Sequence, residues 1–174
     1  KGFDIPNITL VGVIMADMGL HIPDFRTSER MFQLLTQVAG RAGRREKQGE
    51  VCIQTYNPDH PSIFFSQTHD YNGFYEQEII SRKEGAFPPF GRIAKLMYCD
   101  PSVKVCEDAA RALEKLIPKD THKVYAAPAL LSRINKQYQW NILIQGPQPE
   151  SILKKIPSEA LQGWRIDVDP QISV

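Results

Sequence analysis

The sequence predicts an α/β chain in two parts: a parallel strand–helix–strand unit, followed by a small α+β domain. A near-continuous run of β-branched residues at 10–16 is typical of a strand in a parallel sheet, and a helix pattern and a second strand follow it. Beyond residue 90, four strand patterns and two helix patterns alternate in the order βαββαβ. That order is typical of the split unit called ferredoxin-like.

The length and composition of the chain indicate one full domain or two small ones. Its 174 residues are 42% hydrophobic and 24% charged, which is ordinary for a globular protein with a buried core. No stretch approaches the ~18 apolar residues of a membrane span, so we expect no membrane partner. The first residue is Lys1 rather than Met, and we interpret the chain as part of a longer protein.

The distribution of charge indicates the class of partner, and the cysteines indicate the redox state of the compartment. Residues 1–90 carry nine basic and eleven acidic residues, whereas residues 91–174 carry twelve and nine. The second part is therefore mildly basic, which indicates an anionic partner. Three cysteines without C-x-x-C spacing predict free thiols in a reducing, cytoplasmic compartment, and four histidines without ligand spacing predict no metal site.

In the first part, each predicted element ends at a residue that interrupts its pattern. Asp17 follows the strand at 10–16, at the carboxyl end where α/β proteins place ligand contacts. Ser28 is the predicted N-cap of a helix that ends at Gly40. A second short strand at 51–55 completes the unit, which has the βαβ arrangement.

The domain limits follow from turn signals and composition. We predict a first domain at 1–56, a helical connector at 57–90 with helices at 63–68 and 74–83, and a C-terminal domain at 91–174. The elements predicted for the C-terminal domain are a strand at 92–99, a helix at 102–116, an extended segment at 124–131, a strand at 133–145 with a turn at 135–137, a short helix at 150–156 and a strand at 164–169.

The most specific stretch in the sequence is Gln-Val-Ala-Gly-Arg-Ala-Gly-Arg at 37–44. It places Arg41 and Arg44 at the glycine-broken end of a helix. Arginine presents a fixed planar fork that suits phosphate oxygens, and glycines let a ligand approach the backbone closely. An arginine aimed at a γ-phosphate stabilises the charge that develops in phosphoryl transfer. From the residues alone, a helix C-terminus whose arginines bind the last carbonyls explains the pattern equally well.

This segment resembles motif VI of superfamily 2 helicases, and residues 1–6 resemble the end of their motif V. Over the whole chain the sequence is similar to the primosomal protein N′ family of bacterial replication-restart helicases, through segments at 23–35, 37–44, 54–58, 88–92, 133–140 and 166–170. The resemblance implies the second half of a RecA-like helicase lobe with a parallel sheet, followed by a ribosomal-protein-like C-terminal domain.

The resemblance also implies roles for individual residues. It makes Arg44 an arginine finger, Arg41 a second contact to the nucleotide or its acidic partners, and Gln37 the coupling between nucleotide state and the lobe interface. The positions that it implies at the nucleotide, or at DNA backbone beside it, are Gly40, Gly43, Gly2 and Asp4.

The implied activity is that of an ATP-dependent 3′→5′ DNA helicase that recognises stalled or branched forks and restarts replication by primosome assembly. ATP and Mg²⁺ are the implied cofactors of the complete protein, with zinc bound upstream and none on this chain. The sequence contains no phosphate loop and no acidic Walker B box, so we expect this chain alone to hydrolyse no ATP. The alternatives are a non-catalytic module for fork DNA or partner proteins, and another superfamily 2 repair helicase.

The segment at 133–140 is the second candidate site. Arg133, Lys136 and Tyr138 combine positive charge with an aromatic ring, which suits phosphates and a stacked base. The alternative is a hairpin whose aromatic residues are core and whose charges are solvated. Because Tyr138 and Trp140 share one strand face, we expect Trp140 in the core. The resemblance implies branched or single-stranded DNA, primosome proteins and single-strand DNA-binding protein as partners.

Overall fold

The computed structural model describes residues 8–40, 49–118 and 122–171. The chain forms two compact units, Lys1–Ser81 and Arg82–Val174. The first contains a parallel sheet and the second an antiparallel sheet, so the chain is a mixed α/β protein as predicted. No helix in the described ranges is long and apolar enough to cross a membrane. The three predicted domain limits stay predictions.

The first unit is built on two short parallel strands joined by a helix. β1 (Leu10–Val13) pairs in parallel with β2 (Glu50–Ile53), and α1 (Thr27–Ala39) lies between them in the chain. The other elements that begin in this unit are a 3₁₀ turn (Ala16–His21), α2 (Pro61–Phe64), a second 3₁₀ turn (Phe65–Thr68) and α3 (Tyr71–Gly85).

A small apolar core holds this unit together. Met31 and Leu35 lie one helical turn apart on α1 and are buried together with Ala16 and Ile63. The i, i+4 spacing places both α1 residues on one face of the helix, which is the amphipathic pattern that the sequence shows. On the same helix, Phe32 stacks on Phe74 of α3, with ring centroids 4.4 Å apart.

The prediction of a strand at 10–16 that is buried on both faces is wrong in its length and its burial. β1 ends at Val13, and Leu10 and Ile14 are exposed. Met15 adopts a left-handed backbone conformation with φ of 54°, which ends the extended segment. Along β1, exposed residues alternate with partly buried ones, so one face of the strand is partly covered and the other is exposed.

The predicted start of α1 is also displaced. The helix begins at Thr27 rather than after a Ser28 cap, and its flanking residue Arg26 makes no side-chain cap. Asp24 takes this role instead, because its buried carboxylate accepts a hydrogen bond of 2.8 Å from the backbone N–H of Arg26. An acidic side chain at this end of a helix complements the helix dipole.

The second unit is a four-stranded antiparallel sheet with the strand order β4-β5-β3-β6. Its element order along the chain is βαββαβ, as predicted. The elements are β3 (Arg92–Asp100), α4 (Val103–Leu116), β4 (Lys123–Ile134), β5 (Gln137–Gly146), α5 (Pro149–Leu153), a 3₁₀ turn (Ser158–Leu161) and β6 (Arg165–Val168).

The core of this unit lies on one face of the sheet. Cross-strand partners on β3 and β5 supply it in opposite pairs: Ala94 with Ile144, Leu96 with Ile142 and Tyr98 with Trp140. Buried residues of α4 pack against the same face. Trp140 is only 7% exposed, so the prediction that this ring is core is confirmed.

We predict that Trp140→Ala lowers the free energy of unfolding by about 3–5 kcal/mol, because it leaves a cavity the size of an indole in the core. Urea titration followed by far-UV circular dichroism measures the change. Tyr125→Ala is the matched control, since this aromatic residue lies exposed on β4 of the same sheet. A loss of less than about 1 kcal/mol for Trp140→Ala would show that the ring does not contribute to the stability of the core.

Candidate functional site

Gln37 and Gly40 are the residues of the predicted nucleotide site that the structure describes. Both are exposed at the C-terminal end of α1, three residues apart. The other predicted residues of this site lie outside the described residues: Gly2, Asp4, Arg41, Gly43 and Arg44.

Gly40 occupies a position where the local backbone does not require glycine. Its φ of −66° and ψ of −3° are available to any residue, and its N–H donates to the carbonyl of Thr36 at 3.1 Å. A Cβ added at Gly40 would lie 3.5 Å from the Thr36 carbonyl oxygen, which is ordinary van der Waals contact. Among the described residues, no neighbour of Gly40 therefore requires glycine at this position.

Asp17 joins the carboxyl ends of the two parallel strands. Its carboxylate accepts hydrogen bonds from the Thr55 hydroxyl at 2.9 Å, the Tyr56 N–H at 2.8 Å and the Asn57 side-chain amide at 3.0 Å. The three donors follow β2 directly. They are the cause that lowers the pKa of Asp17 from 3.8 to about 2, with the Tyr56 N–H contributing most and burial opposing.

This arrangement makes Asp17 a structural residue of the first unit. Its buried carboxylate is occupied by partners from its own fold, and backbone bonds continue the ladder beside it, from Ala16 N–H to Gln54 at 3.0 Å and from Gln54 N–H to Val13 at 2.9 Å. Sequence reasoning identified the position of Asp17 but missed its partners, because they lie 38–40 residues away. An acidic residue directly after a strand is the signal that was available.

The β4–β5 hairpin brings two of the three predicted DNA-binding residues together. Arg133 lies opposite Tyr138 in the ladder, and its guanidinium is 5.2 Å from the centre of the tyrosine ring. Lys136 lies in the two-residue turn, where it and Asn135 have positive φ as a type I′ turn requires. Arg133 and Lys136 are exposed, whereas Tyr138 packs partly against the core. The ring therefore orients the Arg133 guanidinium by cation–π contact.

Arg92 closes the other end of the second unit. It donates from Nε to Asp169 at 2.9 Å and also pairs with Glu150 of α5. The hydrogen bond to Asp169 is the main cause that raises the pKa of Arg92. Gly91 beside it is required, because a Cβ there would lie 2.3 Å from the carbonyl oxygen of Ala86. These contacts join the segments at 88–92 and 166–170, and both segments are among those that resemble the primosomal protein N′ family.

The sequence of the second unit matches a known protein family. Residues 83–171, about half of the chain, match the family described as Primosomal protein N C-terminal domain. The chain belongs to this primosomal protein N family. The resemblance seen in the sequence is thereby confirmed over the second unit, and the antiparallel unit is the C-terminal domain of that family.

Curated relatives extend the likeness over the first unit. The Replication restart protein PriA of Bacillus subtilis is 44% identical over 163 residues, which are 90% of this chain. The proteins of that name from Synechocystis and Treponema pallidum are 41% and 40% identical over 98% of the chain. The chain spans 20–28% of the length of these three primosomal relatives.

We predict that Asp17 makes the stability of the chain depend on acid. Since the folded-state pKa is about 2 and the unfolded value about 3.9, the carboxylate stabilises the fold above pH ~4, and this contribution is lost as the pH falls toward 2. Asp17→Asn lowers the melting temperature at pH 7, because the new amide donor faces the Tyr56 N–H, and it flattens the acid dependence.

Melting curves by circular dichroism between pH 2 and pH 7 test this expectation. Asp59→Asn is the control, because Asp59 is an exposed acid in the same loop region. An Asp17→Asn chain with the same acid dependence as the unchanged chain would show that the carboxylate does not contribute as its hydrogen bonds indicate.

Proposed function

We propose that this chain is a segment of an ATP-dependent 3′→5′ DNA helicase that recognises branched replication forks and restarts replication by primosome assembly. The observation that carries the proposal is its likeness, over 90–98% of its residues, to proteins named Replication restart protein PriA. Because the chain spans less than a third of those proteins, the activity belongs to the complete protein. We place that protein in the bacterial cytoplasm, at the nucleoid.

The first unit is, in this proposal, the second half of a RecA-like lobe. Its parallel β1–β2 pair with the α1 crossover supports this assignment. Arginine guanidinium groups beside glycines fit a triphosphate, because each planar guanidinium donates paired hydrogen bonds to phosphate oxygens. Arg44 would stabilise the charge that develops on the γ-phosphate, with Arg41 as a second contact and Gln37 as the coupling residue. Gly43, Gly2 and Asp4 would lie near the nucleotide or the DNA backbone.

ATP bound to the complete protein would supply the phosphoryl group whose transfer drives translocation, with Mg²⁺ as its counter-ion. Gly40 would leave space for that ligand, since the helix itself does not require glycine at this position. Among the described residues no three His, Cys, Asp or Glu side chains cluster as a metal site.

The second unit is, in this proposal, a ferredoxin-like domain that binds branched or single-stranded DNA. The strand order β4-β5-β3-β6 supports the fold, because it places the first and third strands of the βαββαβ unit at the centre. Exposed Arg133 and Lys136 would contact phosphates, and Tyr138 would orient Arg133. Primosome proteins and single-strand DNA-binding protein are the proposed protein partners.

We predict that Arg44→Ala in the complete protein lowers kcat for ATP by on the order of 10³-fold and weakens nucleotide binding far less, because an arginine finger acts on transition-state charge. Arg41→Ala is expected to weaken nucleotide binding more. DNA-stimulated turnover and nucleotide Kd are the measurements. Arg45→Ala is the matched control, with the same charge change beside the motif. Near-normal turnover in Arg44→Ala would support the alternative of a plain helix terminus.

We predict that reversing Arg133 and Lys136 to glutamate weakens fork binding and flattens the dependence of log Kd on log salt by roughly two, if each side chain contacts one phosphate. Lys154→Glu/Lys155→Glu is the control, since these exposed lysines lie after α5 and undergo the same charge change. Equal losses in both double variants would mean that net charge, rather than the hairpin, accounts for binding.

A further inference from the structure

The β4 strand contains a bulge of several residues near the hairpin turn. Pro128 lies opposite Trp140 and Arg133 opposite Tyr138, so the four residues at 129–132 face only Gln139 on β5. β4 is also an edge strand of the sheet. Bulges at sheet edges commonly re-aim side chains next to functional sites, because the extra residues leave the ladder.

The bulge presents two adjacent leucines to solvent. Leu130 is 56% exposed and Leu131 is 68% exposed, whereas Ile142 and Ile144 on the neighbouring strand are fully buried. An adjacent pair of exposed leucines does not gain the stability that burial gives to apolar side chains elsewhere in this sheet. The folding of the unit therefore gives no reason for apolar residues at both positions.

The charges around the pair indicate what could cover it. Between residues 123 and 146 the hairpin contains Lys123, Arg133 and Lys136 and no aspartate or glutamate. All three cations are exposed. A complementary partner therefore offers negative charge next to apolar surface. The end of a DNA duplex at a branch offers both, because the flat face of its last base pair lies between two phosphate backbones.

We propose that Leu130 and Leu131 form a wedge that packs against the terminal base pair at a fork junction, while Arg133 and Lys136 bind phosphates of the same DNA. Apolar side chains that insert at base steps unstack them, and cations beside them hold the backbone. This inference rests on the proposed function of DNA binding by the second unit. It adds the DNA feature that the unit would recognise, the terminal base pair at a fork junction. The leucine pair lies on a bulge that interrupts the ladder of an edge strand, and such bulges oppose the addition of an extended peptide as a further strand.

The test compares two DNA probes on the complete protein: a fork with 2-aminopurine at the junction base pair, and a single strand of the same length. Leu130→Ser/Leu131→Ser is expected to weaken fork binding at least about tenfold, because tenfold corresponds to the low end of what burying a single leucine side chain contributes. Single-strand affinity and the salt dependence should stay unchanged. The rise in 2-aminopurine fluorescence that the unchanged protein produces should disappear.

Val103→Ser/Val105→Ser is the matched control, because both valines are exposed on α4. Fork and single-strand affinities that fall together, or fork affinity that does not fall, would overturn the wedge while leaving DNA binding intact. An unchanged protein that binds neither probe would instead contradict the proposed function. If the serine variant proves unfolded by circular dichroism, the fluorescence of the unchanged protein decides, since no rise overturns the wedge.

The competing occupant is an acidic apolar peptide. A synthetic peptide of alternating aspartate and leucine serves as the probe. Loss of its binding in Leu130→Ser/Leu131→Ser, together with normal fork binding, would overturn the DNA wedge in favour of a protein partner. Fork binding that falls while the peptide fails to bind the unchanged protein supports the wedge.

Discussion

The ladder between β3 and β5 is the constraint on which the rest of the second unit depends. It runs from Arg92 opposite Gly146 to Asp100 opposite Tyr138, along the full length of β3. A slip of one residue would turn every core side chain of β3 to the opposite face of the sheet. At one end the register places Arg92 beside Glu150 of α5 and Asp169, which directly follows β6, so that Arg92 pairs with both acids. At the other end it fixes the part of β5 next to the hairpin turn, and so determines where Arg133 and the bulge lie.

The first unit depends on a different kind of contact. Two short parallel strands expose much of their surface, and a single carboxylate, Asp17, joins the segments that leave them. Because a backbone N–H and two side chains donate to it, this carboxylate stays ionised well below neutral pH. The Asp17 carboxylate thus ties the segment between β1 and α1 to the residues after β2, and Gln37 and Gly40 lie at the exposed C-terminal end of α1.

The sequence predicted the order of elements and the βαββαβ arrangement, because apolar periodicity and turn residues are local signals. It misjudged β1, since a run of apolar residues does not show whether both faces of the strand are covered, nor that Met15 turns to a left-handed conformation. Ser28 was the expected helix cap, yet Asp24 supplies the capping carboxylate through the turn before the helix. The bulge at 129–132 and the partners of Asp17 depend on contacts across strands or across 38–40 residues, so no local pattern showed them. The motif at 37–44 was identified by resemblance, and its arginines lie outside the described residues.

In the proposed function, the β3–β5 ladder of the second unit positions a hairpin without acidic residues as the DNA-binding surface. Backbone amide chemical shifts of the 174-residue chain, recorded by NMR during titration with forked DNA, test this most directly. The account predicts that the largest shift changes fall at residues 129–138, and that amides of α4 on the other side of the core change little. Changes concentrated on α4, with the hairpin unaffected, would contradict it.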